Sequence, residues 1–230
     1  MQRLALFDLD NTLVDRQLAF SVWAAEFAGE ADLGGDAACW LITADRQGAR
    51  PRDQFFREVR DHFGLAEPAD ELWAAFRARM PDLVRCETRV LDGLSQLRAS
   101  GWRVAIVTNG MADNQLMKIE RSGLSERVDA CCVSGEVGIR KPDVRIFQLA
   151  AERCGLALAD GGWMIGDNPE HDIAGGRAAG LRTMWVGGQG DWPKGELRAD
   201  RTVADAADAI SLLLDESWHG QDDRSRFPSR

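Results

Sequence analysis

Short apolar runs recur along the chain and alternate with segments that have the apolar spacing of amphipathic helices. The runs have strand length, are bounded by Gly, Asp, Asn or Ser, and cover residues 3–8, 103–107, 129–133, 163–165 and 182–186. Helical spacing lies between them, over residues 90–99, 112–121, 143–154 and 170–179. This alternation predicts an α/β fold, with a parallel sheet and helices on both faces. Right-handed crossovers then place the carboxyl ends of the strands along one edge, where ligands bind in such folds.

Residues 16–88 interrupt the alternation and contain no strand pattern. Their spacing predicts amphipathic helices over residues 17–29, 36–47, 51–63 and 69–79. Pro51 suits a helix start, and Gly64 suits the end of the same helix. A helical insert after the first strand is typical of a cap that excludes water and selects substrate, while a packing subdomain or a dimer surface are the alternatives.

The predicted organisation is therefore a parallel-sheet core, a helical cap and a tail. The core comprises residues 1–15 and 89–216, and the cap comprises residues 16–88. Residues 217–230 have little apolar content and form the predicted C-terminal tail, and residues 187–196 are predicted to form a loop.

Composition narrows the classes of function. The 230 residues are 45% hydrophobic and 28% charged, with a net charge of −9, which is typical of a globular protein with a core. We expect no nucleic-acid binding, because phosphate backbones are held by clusters of lysine and arginine. The five cysteines have neither CxxC nor zinc-ligand spacing. Reduced thiols in a cytoplasmic protein are the expectation.

No segment predicts a membrane span or a signal peptide. The apolar run before Asp8 is too short for either, and no later run reaches about 18 apolar residues. We therefore expect a cytoplasmic protein without membrane association. Its oligomeric state is left open between a monomer and a homodimer.

The first strand ends in carboxylates. In LALFDLDNTLVDR, Asp8 closes the apolar run, Asp10 follows two residues later, and Thr12 two after that. Residues two apart in a strand point to the same side, so Asp8 and Asp10 can face one crevice. Such a pair repels unless a cation or a shared proton intervenes, and it allows one carboxylate to attack while the other transfers protons. The alternative is a helix N-cap at DNT, which leaves Asp8 unexplained.

Polar residues also follow the second and third runs. RVAIVTNG places Thr108 and Asn109 at a strand end, where a hydroxyl, an amide and helix N–H groups can bind an anionic oxygen. An ordinary turn is the alternative. In GEVGIRKPD, Lys141 precedes Pro142, and Asp143 can cap the following helix. Lys141 could neutralise a carboxylate and a phosphate, and the alternative is a solvated surface lysine.

The fourth run ends in another pair of carboxylates. WMIGDNPEHDIAGG places Asp167 directly after a strand and Asp172 in the first turn of the next helix. Carboxylates at this position suit Mg²⁺, which prefers oxygen ligands, although helix capping would also explain them. Taken together, the strand ends supply the groups that phosphoryl transfer needs, and the combination is more specific than any one motif.

These motifs resemble those of the haloacid dehalogenase-like hydrolase superfamily, in its form with a helical cap after the first strand. The resemblance extends from Leu4 to about Leu214, and its order and spacing fit throughout. It is carried by DLDNT at 8–12, TN at 108–109, Lys141 in RKPD, and GDNPEHD at 166–172. It implies a Rossmann-like core with a helical cap.

The resemblance also implies roles for single residues. Asp8 would attack phosphorus and form an aspartyl-phosphate, and Asp10 would act as general acid and then as general base. Mg²⁺ would be held by Asp8, the backbone carbonyl of Asp10 and Asp167, with Asp172 completing the shell or ordering a bound water. The phosphoryl oxygens would be bound by Thr108 and Asn109, and Lys141 would offset charge on Asp8 and on the phosphate.

Asp10 favours phosphoryl transfer within the superfamily. The true dehalogenases that this chain resembles lack an aspartate at that position and need no metal. The implied activity is therefore hydrolysis of a small phosphorylated metabolite by a Mg²⁺-dependent phosphatase. A phosphomutase of the β-phosphoglucomutase type and a catalytically silent module that binds a ligand or a protein remain alternatives.

Substrate selection is expected in the cap and in the loop after the first motif. The candidate residues for contact with the leaving group are Arg16, Phe20, Arg46, Arg50 and Arg52. Each could equally be a surface residue. The basic run RQGARPR suggests an anionic or polar leaving group.

Overall fold

The computed structural model describes residues 2–48, 50–187, 192 and 198–215. The strands are β1 Leu4–Phe7, β2 Arg103–Thr108, β3 Ala130–Val133, β4 Trp163–Gly166, β5 Arg182–Val186 and β6 Arg201–Val203. The helices before β2 are α1 Arg16–Glu30, α2 Ala37–Asp45, α3 Arg52–Phe63, α4 Ala69–Leu83 and α5 Thr88–Ala99. Those after β2 are α6 Ala112–Arg121, α7 Ser134–Val137, α8 Val144–Arg153, α9 Gly175–Ala178 and α10 Ala206–Leu214.

In the described part of the chain, the strands form one 6-stranded parallel sheet in the order β3-β2-β1-β4-β5-β6. The chain builds outward from β1 to β3 on one side and then from β4 to β6 on the other. The strand order therefore reverses between β1 and β4, which leaves a crevice at their carboxyl ends. In register, Phe7 lies beside Ile106 on one side and Ile165 on the other. Asp8 consequently leaves the sheet at its centre.

Alternate residues of the central strands pack into separate cores on the two faces of the sheet. On one face, Leu4 and Leu6 pack with Phe147 of α8. The opposite face carries Ala5 and Phe7, which belong to a core that extends through α5 and α10 into the helical insert. Helices thus cover both faces, and the predicted α/β fold with a parallel sheet is confirmed.

The segment between β1 and α5 is helical, and aromatic rings hold it together. Phe20 of α1 lies 5.9 Å from Phe55 and 6.0 Å from Phe76, measured between ring centroids. Trp23 meets Phe76 edge to face at 4.8 Å, and each such pair adds about 0.5–1.5 kcal/mol beyond the buried area. We refer to α1–α4 as the cap.

The sequence placed most boundaries within a few residues. Helix α3 begins after Pro51 and ends at Gly64, whose φ of 64° is in the left-handed region. Asp143 caps α8 by accepting a hydrogen bond from Arg145 N at 3.0 Å. Among the described residues, which include every cysteine, no disulfide is formed.

Other sequence expectations need correction. Strand β6 was not predicted, because it is short and two of its residues are exposed. The predicted helix over 170–179 is a π-helix at Pro169–Ala174 followed by α9. The helix predicted for 36–47 ends at Asp45, and the one predicted for 69–79 continues to Leu83.

The predicted tail at 217–230 and most of the loop at 187–196 lie outside the described residues. Within the described ranges, no helix combines the length and apolar character that crossing a bilayer requires.

A buried carboxylate organises the turn between α2 and α3. Asp45 is 0% exposed and accepts hydrogen bonds from Arg16 Nη1 and Nη2, both at 2.9 Å, and from Arg52 Nη1 at 2.6 Å. Gly48 N donates to the same carboxylate at 2.8 Å. Burial alone would raise the pKa of Asp45, but Arg16 and Arg52 lower it below its usual value. We call these four residues the Asp45 clamp.

We predict that Asp45→Asn destabilises the protein by about 3–5 kcal/mol, because it leaves the buried guanidinium of Arg16 and the half-buried one of Arg52 without their shared carboxylate. Urea unfolding at pH 7 measures the change. The matched control is Asp61→Asn, which removes an exposed partner of Arg60 on α3 and should change stability by less than about 0.5 kcal/mol. Equal stability of the two variants would contradict the role of the clamp.

Candidate active site

The polar residues predicted at strand ends converge at the carboxyl edge of the sheet. Asp8 follows β1 and donates its backbone N–H to Ile165 O at 2.8 Å, which ties it to β4. Thr108 ends β2 and is 1% exposed. Asp167 follows β4, and its carbonyl accepts a hydrogen bond from Trp185 Nε1 at 2.9 Å. The parallel sheet thus brings residues distant in sequence to one crevice.

A tight turn, and not a helix N-cap, follows Asp8. Leu13 N and Val14 N both donate to Leu9 O, at 2.9 and 3.0 Å. Asn11 has a φ of 59°, a left-handed conformation that asparagine adopts more readily than most residues. The capping residue of α1 is Asp15, which accepts from Leu18 N at 2.8 Å. The alternative that DNT caps a helix is therefore wrong.

Lys141 is the central cation of the site. Its Nζ donates to Asp8 Oδ1 and to Asp172 Oδ1, both at 2.6 Å, and the residue is only 2% exposed. The alternative of a solvated surface lysine is therefore wrong. Because the two carboxylates outweigh the cost of burial, the pKa of Lys141 is raised, and the ammonium stays charged at neutral pH.

Asn109 holds the main chain of Lys141. Its side-chain amide donates to Lys141 O at 3.0 Å, and its Oδ1 accepts from Lys141 N at 2.9 Å. Both polar ends of the side chain are therefore used to position Lys141. Phosphate binding by Asn109 stays a prediction.

Asp172 is 0% exposed and contacts Lys141 in the interior of the site. Besides Lys141, its carboxylate accepts from Asn168 N at 2.9 Å. A Cβ atom on Gly166 would lie 2.2 Å from Asp172 Oδ2, so only glycine allows this approach. The cap of the following π-helix is Asn168, whose Oδ1 accepts from Glu170 N and His171 N. Capping therefore does not explain Asp172.

Three carboxylates crowd together around Lys141. Oxygen atoms of Asp8, Asp167 and Asp172 lie within 4.8 Å of one another. Burial raises the pKa of Asp8 well above its usual value, against the opposing effect of Lys141, and Asp172 and Asp167 raise it further. Burial and the nearby Asp172 raise the pKa of Asp167 to about 7.

This cluster fits a divalent metal ion. When all three carboxylates are ionised, they and the one ammonium leave an excess of two negative charges in a buried place, which a divalent cation would neutralise. All donors are hard oxygen atoms, the type that Mg²⁺ prefers. The side chain of Asp10 lies outside the cluster, so its predicted part in metal binding rests on its backbone carbonyl alone.

Asp10 lies in a separate network that sequence reasoning missed. Its carboxylate accepts from Lys118 Nζ at 2.8 and 2.9 Å and from Gln115 Nε2 at 3.0 Å, and Gln115 also donates to Thr108 Oγ1 at 2.8 Å. Burial would raise the pKa of Asp10, but Lys118 and Arg16 lower it, so Asp10 is ionised at neutral pH. The sequence did carry one signal for this network: Gln115 and Lys118 are spaced to lie on the same face of α6 as the apolar Ile119, and that face is buried.

The cap faces this edge of the sheet across a cavity of about 900 Å³. Of the predicted specificity residues, the arginines at 16, 46, 50 and 52 line the cavity. Arg50 pairs with Glu58. Phe20 does not belong with them, since it is 0% exposed and packs in the aromatic core of the cap. Its prediction as a substrate contact is corrected, because its apolar helical position serves packing.

A sequence model of the haloacid dehalogenase-like hydrolase family matches residues 2–180. The chain is 40% identical over 139 residues to phosphoserine phosphatase from Thermus thermophilus, which covers 59% of the chain and 54% of that relative. The alignment therefore spans about half the length of that relative.

Two longer matches cover most of the chain. Ribulose-1,5-bisphosphate 5-phosphatase from Halopiger xanaduensis is 30% identical over 210 residues, covering 80% of this chain and 84% of that one. The crystal structure of the HAD hydrolase YfnB from Bacillus subtilis, bound to magnesium, has a TM-score of 0.79 at 23% identity and covers 93% of this chain and 99% of that chain. The last similarity supports the fold.

We predict that Asp167→Asn stabilises the metal-free protein at pH 8 by up to about 4 kcal/mol. The folded-state pKa of Asp167 is raised from 3.8 to about 7, so its ionisation disfavours folding increasingly from about pH 4 to pH 7 and in full above pH 7, and this cost is relieved as the pH falls. The gain should therefore shrink between pH 8 and pH 5. Urea unfolding with a chelator measures it.

The control with the opposite sign is Asp143→Asn. Arg145 lowers the pKa of Asp143 to about 2, so its ionised form favours folding, and the variant should lose stability at pH 8. A gain for Asp167→Asn that is independent of pH would contradict the electrostatic origin of the effect.

Proposed function

Because this chain belongs to the haloacid dehalogenase-like hydrolase family, we propose that it is a Mg²⁺-dependent phosphatase that hydrolyses a small phosphorylated metabolite through an aspartyl-phosphate. The observation that carries this proposal is Lys141 bridging Asp8 and Asp172 beside Asp167, with Asp10 held on the adjacent turn. Two relatives are phosphatases, of phosphoserine and of ribulose 1,5-bisphosphate, and they support the class of reaction.

In the first half-reaction, a carboxylate oxygen of Asp8 forms a bond to phosphorus while the bond from phosphorus to the leaving alcohol breaks. Asp10 gives its proton to the alcohol oxygen. Lys118 and Gln115 hold Asp10 as a carboxylate in the described structure. A bound phosphate ester supplies a neighbouring negative charge, which raises the pKa of a carboxyl group and favours the protonated form that this step needs.

In the second half-reaction, Asp10 takes a proton from water as the water oxygen bonds to phosphorus. The bond between phosphorus and Asp8 breaks, inorganic phosphate leaves, and both carboxyl groups return to their starting states. Throughout, the ammonium of Lys141 offsets negative charge on Asp8 and on the transferring oxygens. Thr108 Oγ1, already fixed by Gln115, is the proposed hydroxyl donor to the phosphoryl group.

Mg²⁺, when bound, supplies positive charge that reduces repulsion between the Asp8 carboxylate and the phosphate oxygens. The residues that would hold it are Asp8, Asp167 and the backbone carbonyl of Asp10. Asp172 would complete the shell or orient a coordinated water through its own fixed hydrogen bonds.

We predict that wild-type protein releases inorganic phosphate from small phosphomonoesters with Mg²⁺ and loses this activity with a chelator. Asp8→Asn should lower kcat by at least about 10⁴-fold, since an amide oxygen is a poor nucleophile. Phosphate release measures turnover, and acid quenching of wild-type protein with a radiolabelled ester measures covalent phosphate.

Circular dichroism must show that Asp8→Asn is folded, and Asp61→Asn on the outer face of the cap is the control with unchanged activity. An active Asp8→Asn enzyme would contradict the covalent mechanism. Isomerised phosphate ester without free phosphate would favour the mutase, and no reaction with any ester would favour the silent binding module.

We predict a positioning role for Lys118. Lys118→Met should lower kcat by about 10–100-fold, because Asp10 loses the ammonium that orients its carboxylate, while KM changes by less than about threefold. Lys118→Arg should recover part of the kcat. Steady-state kinetics on one ester separates the two parameters.

Arg121→Gln is the matched control, since Arg121 lies on the same helix but pairs with the partly exposed Asp82, away from Asp10. A rise in KM for Lys118→Met without loss of kcat would assign Lys118 to substrate binding. Such a result would contradict its role at Asp10.

A further inference from the structure

The cap contributes a strongly cationic wall to the cavity. Among the described lining residues, it supplies five arginines, at positions 16, 46, 50, 52 and 77, and a single carboxylate, Asp53. The chain as a whole carries a net charge of −9. A protein that is acidic overall but concentrates cations on one wall of a cleft attracts anions to that wall.

The Asp45 clamp fixes two of these cations and leaves one positive charge in excess. Asp45 is the shared carboxylate of Arg16 and Arg52, so one negative charge faces two positive ones. Gly48 allows the close packing, since a Cβ there would lie 3.1 Å from Arg16 Cζ. Arg52 is therefore held in place before any ligand binds, which lowers the entropy cost of binding.

Two arginines of this wall carry donors that the protein does not satisfy. Arg52 Nη2 and Arg77 Nε are buried and have no hydrogen-bond partner among the described residues. Arg77 lies over the Trp73 ring, 5.3 Å from its centroid, and reaches Asp113 only at 3.3 Å. An unsatisfied buried donor on a charged group is costly, and a guanidinium matches the oxygens of a carboxylate or a phosphate.

The position of this wall assigns it to the leaving group. The transferring phosphate belongs at Asp8 and Lys141 in the core, whereas the arginines line the same cavity from the cap, and Arg16 begins α1 directly after the turn that carries Asp10. Asp10 is the group proposed to protonate the leaving oxygen. An anion bound at the arginines is therefore a part of the alcohol and not the phosphate under attack.

We infer, resting on the proposed function, that the substrate is a phosphomonoester whose leaving alcohol carries a second anionic group, a carboxylate or another phosphate, bound by Arg52 and Arg77 of the cap. The core end of the cavity then takes the phosphate that is cleaved, and the cap end takes the anion that is retained. The retained anion can bind these two arginines without displacing a protein carboxylate from Arg52 Nη2 or Arg77 Nε, because neither atom has a hydrogen-bond partner among the described residues.

Matched pairs of esters test this inference. 3-Phosphoglycerate and glycerol 3-phosphate differ by a carboxylate in place of a hydroxymethyl group, and propane-1,3-diol bisphosphate and 3-hydroxypropyl phosphate differ by a second phosphate. We predict that, for one of the pairs, kcat/KM for the ester with the second anionic group exceeds kcat/KM for the ester without it by at least tenfold. The pair that shows the preference identifies the anion.

We expect Arg52→Gln and Arg77→Gln each to reduce this preference at least fivefold, chiefly through a higher KM for the anionic ester. Arg60→Gln on α3 and Arg79→Gln on α4 are the matched controls, because they remove the same charge from residues outside the cavity lining. If Arg52→Gln does not fold, because Arg52 belongs to the Asp45 clamp, Arg77→Gln decides.

The outcomes separate the two proposals. Phosphate release with equal kcat/KM for both members of both pairs would overturn this inference and leave the phosphatase intact. A preference that survives Arg77→Gln would overturn the assignment to these arginines. Absence of phosphate release from every ester, by folded protein with Mg²⁺, would overturn the proposed function and this inference with it.

Discussion

The buried ammonium of Lys141 is the interaction on which the rest of the site depends. Three carboxylates are brought together where the strand order reverses, and their mutual repulsion in a buried place would otherwise be costly. Lys141 contacts two of them at 2.6 Å. Asn109 fixes its main chain, and Gly166 leaves room for Asp172. The local features of three strand ends thus serve one charge arrangement.

The cap repeats this arrangement with the signs reversed. In the core, one cation lies between two carboxylates, whereas in the cap one carboxylate, Asp45, lies between two guanidinium groups. Each unit is held by buried hydrogen bonds and leaves a net charge facing the cavity. The negative core edge suits a metal ion, and the positive cap wall suits an anion. The cavity therefore has a negative end at the edge of the sheet and a positive end at the cap.

The sequence predicted the core of the site because geometry constrains it strongly. Parallel strands end at one edge of the sheet, so polar residues such as Asp8 and Asp167 directly after apolar runs must meet. Lys118 was not predicted, because a polar residue on a helix is normally exposed to solvent. The face of α6 that carries Lys118 is buried only through the packing of the helix in the folded protein. Pairing of Arg16 with Asp45 also depends on how α1 packs on α2. Phe20 was assigned to the substrate although its spacing with Trp23 fits the core of the cap.

The contacts that fix Asp8, the proposed nucleophile, have a consequence for repeated turnover. Asp8, Lys141, Asp172 and Asn109 all belong to the sheet domain, and the hydrogen bonds described among them involve no cap residue. A displacement of the cap would therefore leave these bonds in place. Under the proposed mechanism, the next substrate would then meet an Asp8 carboxylate that is already aligned, without the cost of rebuilding its contacts in each cycle.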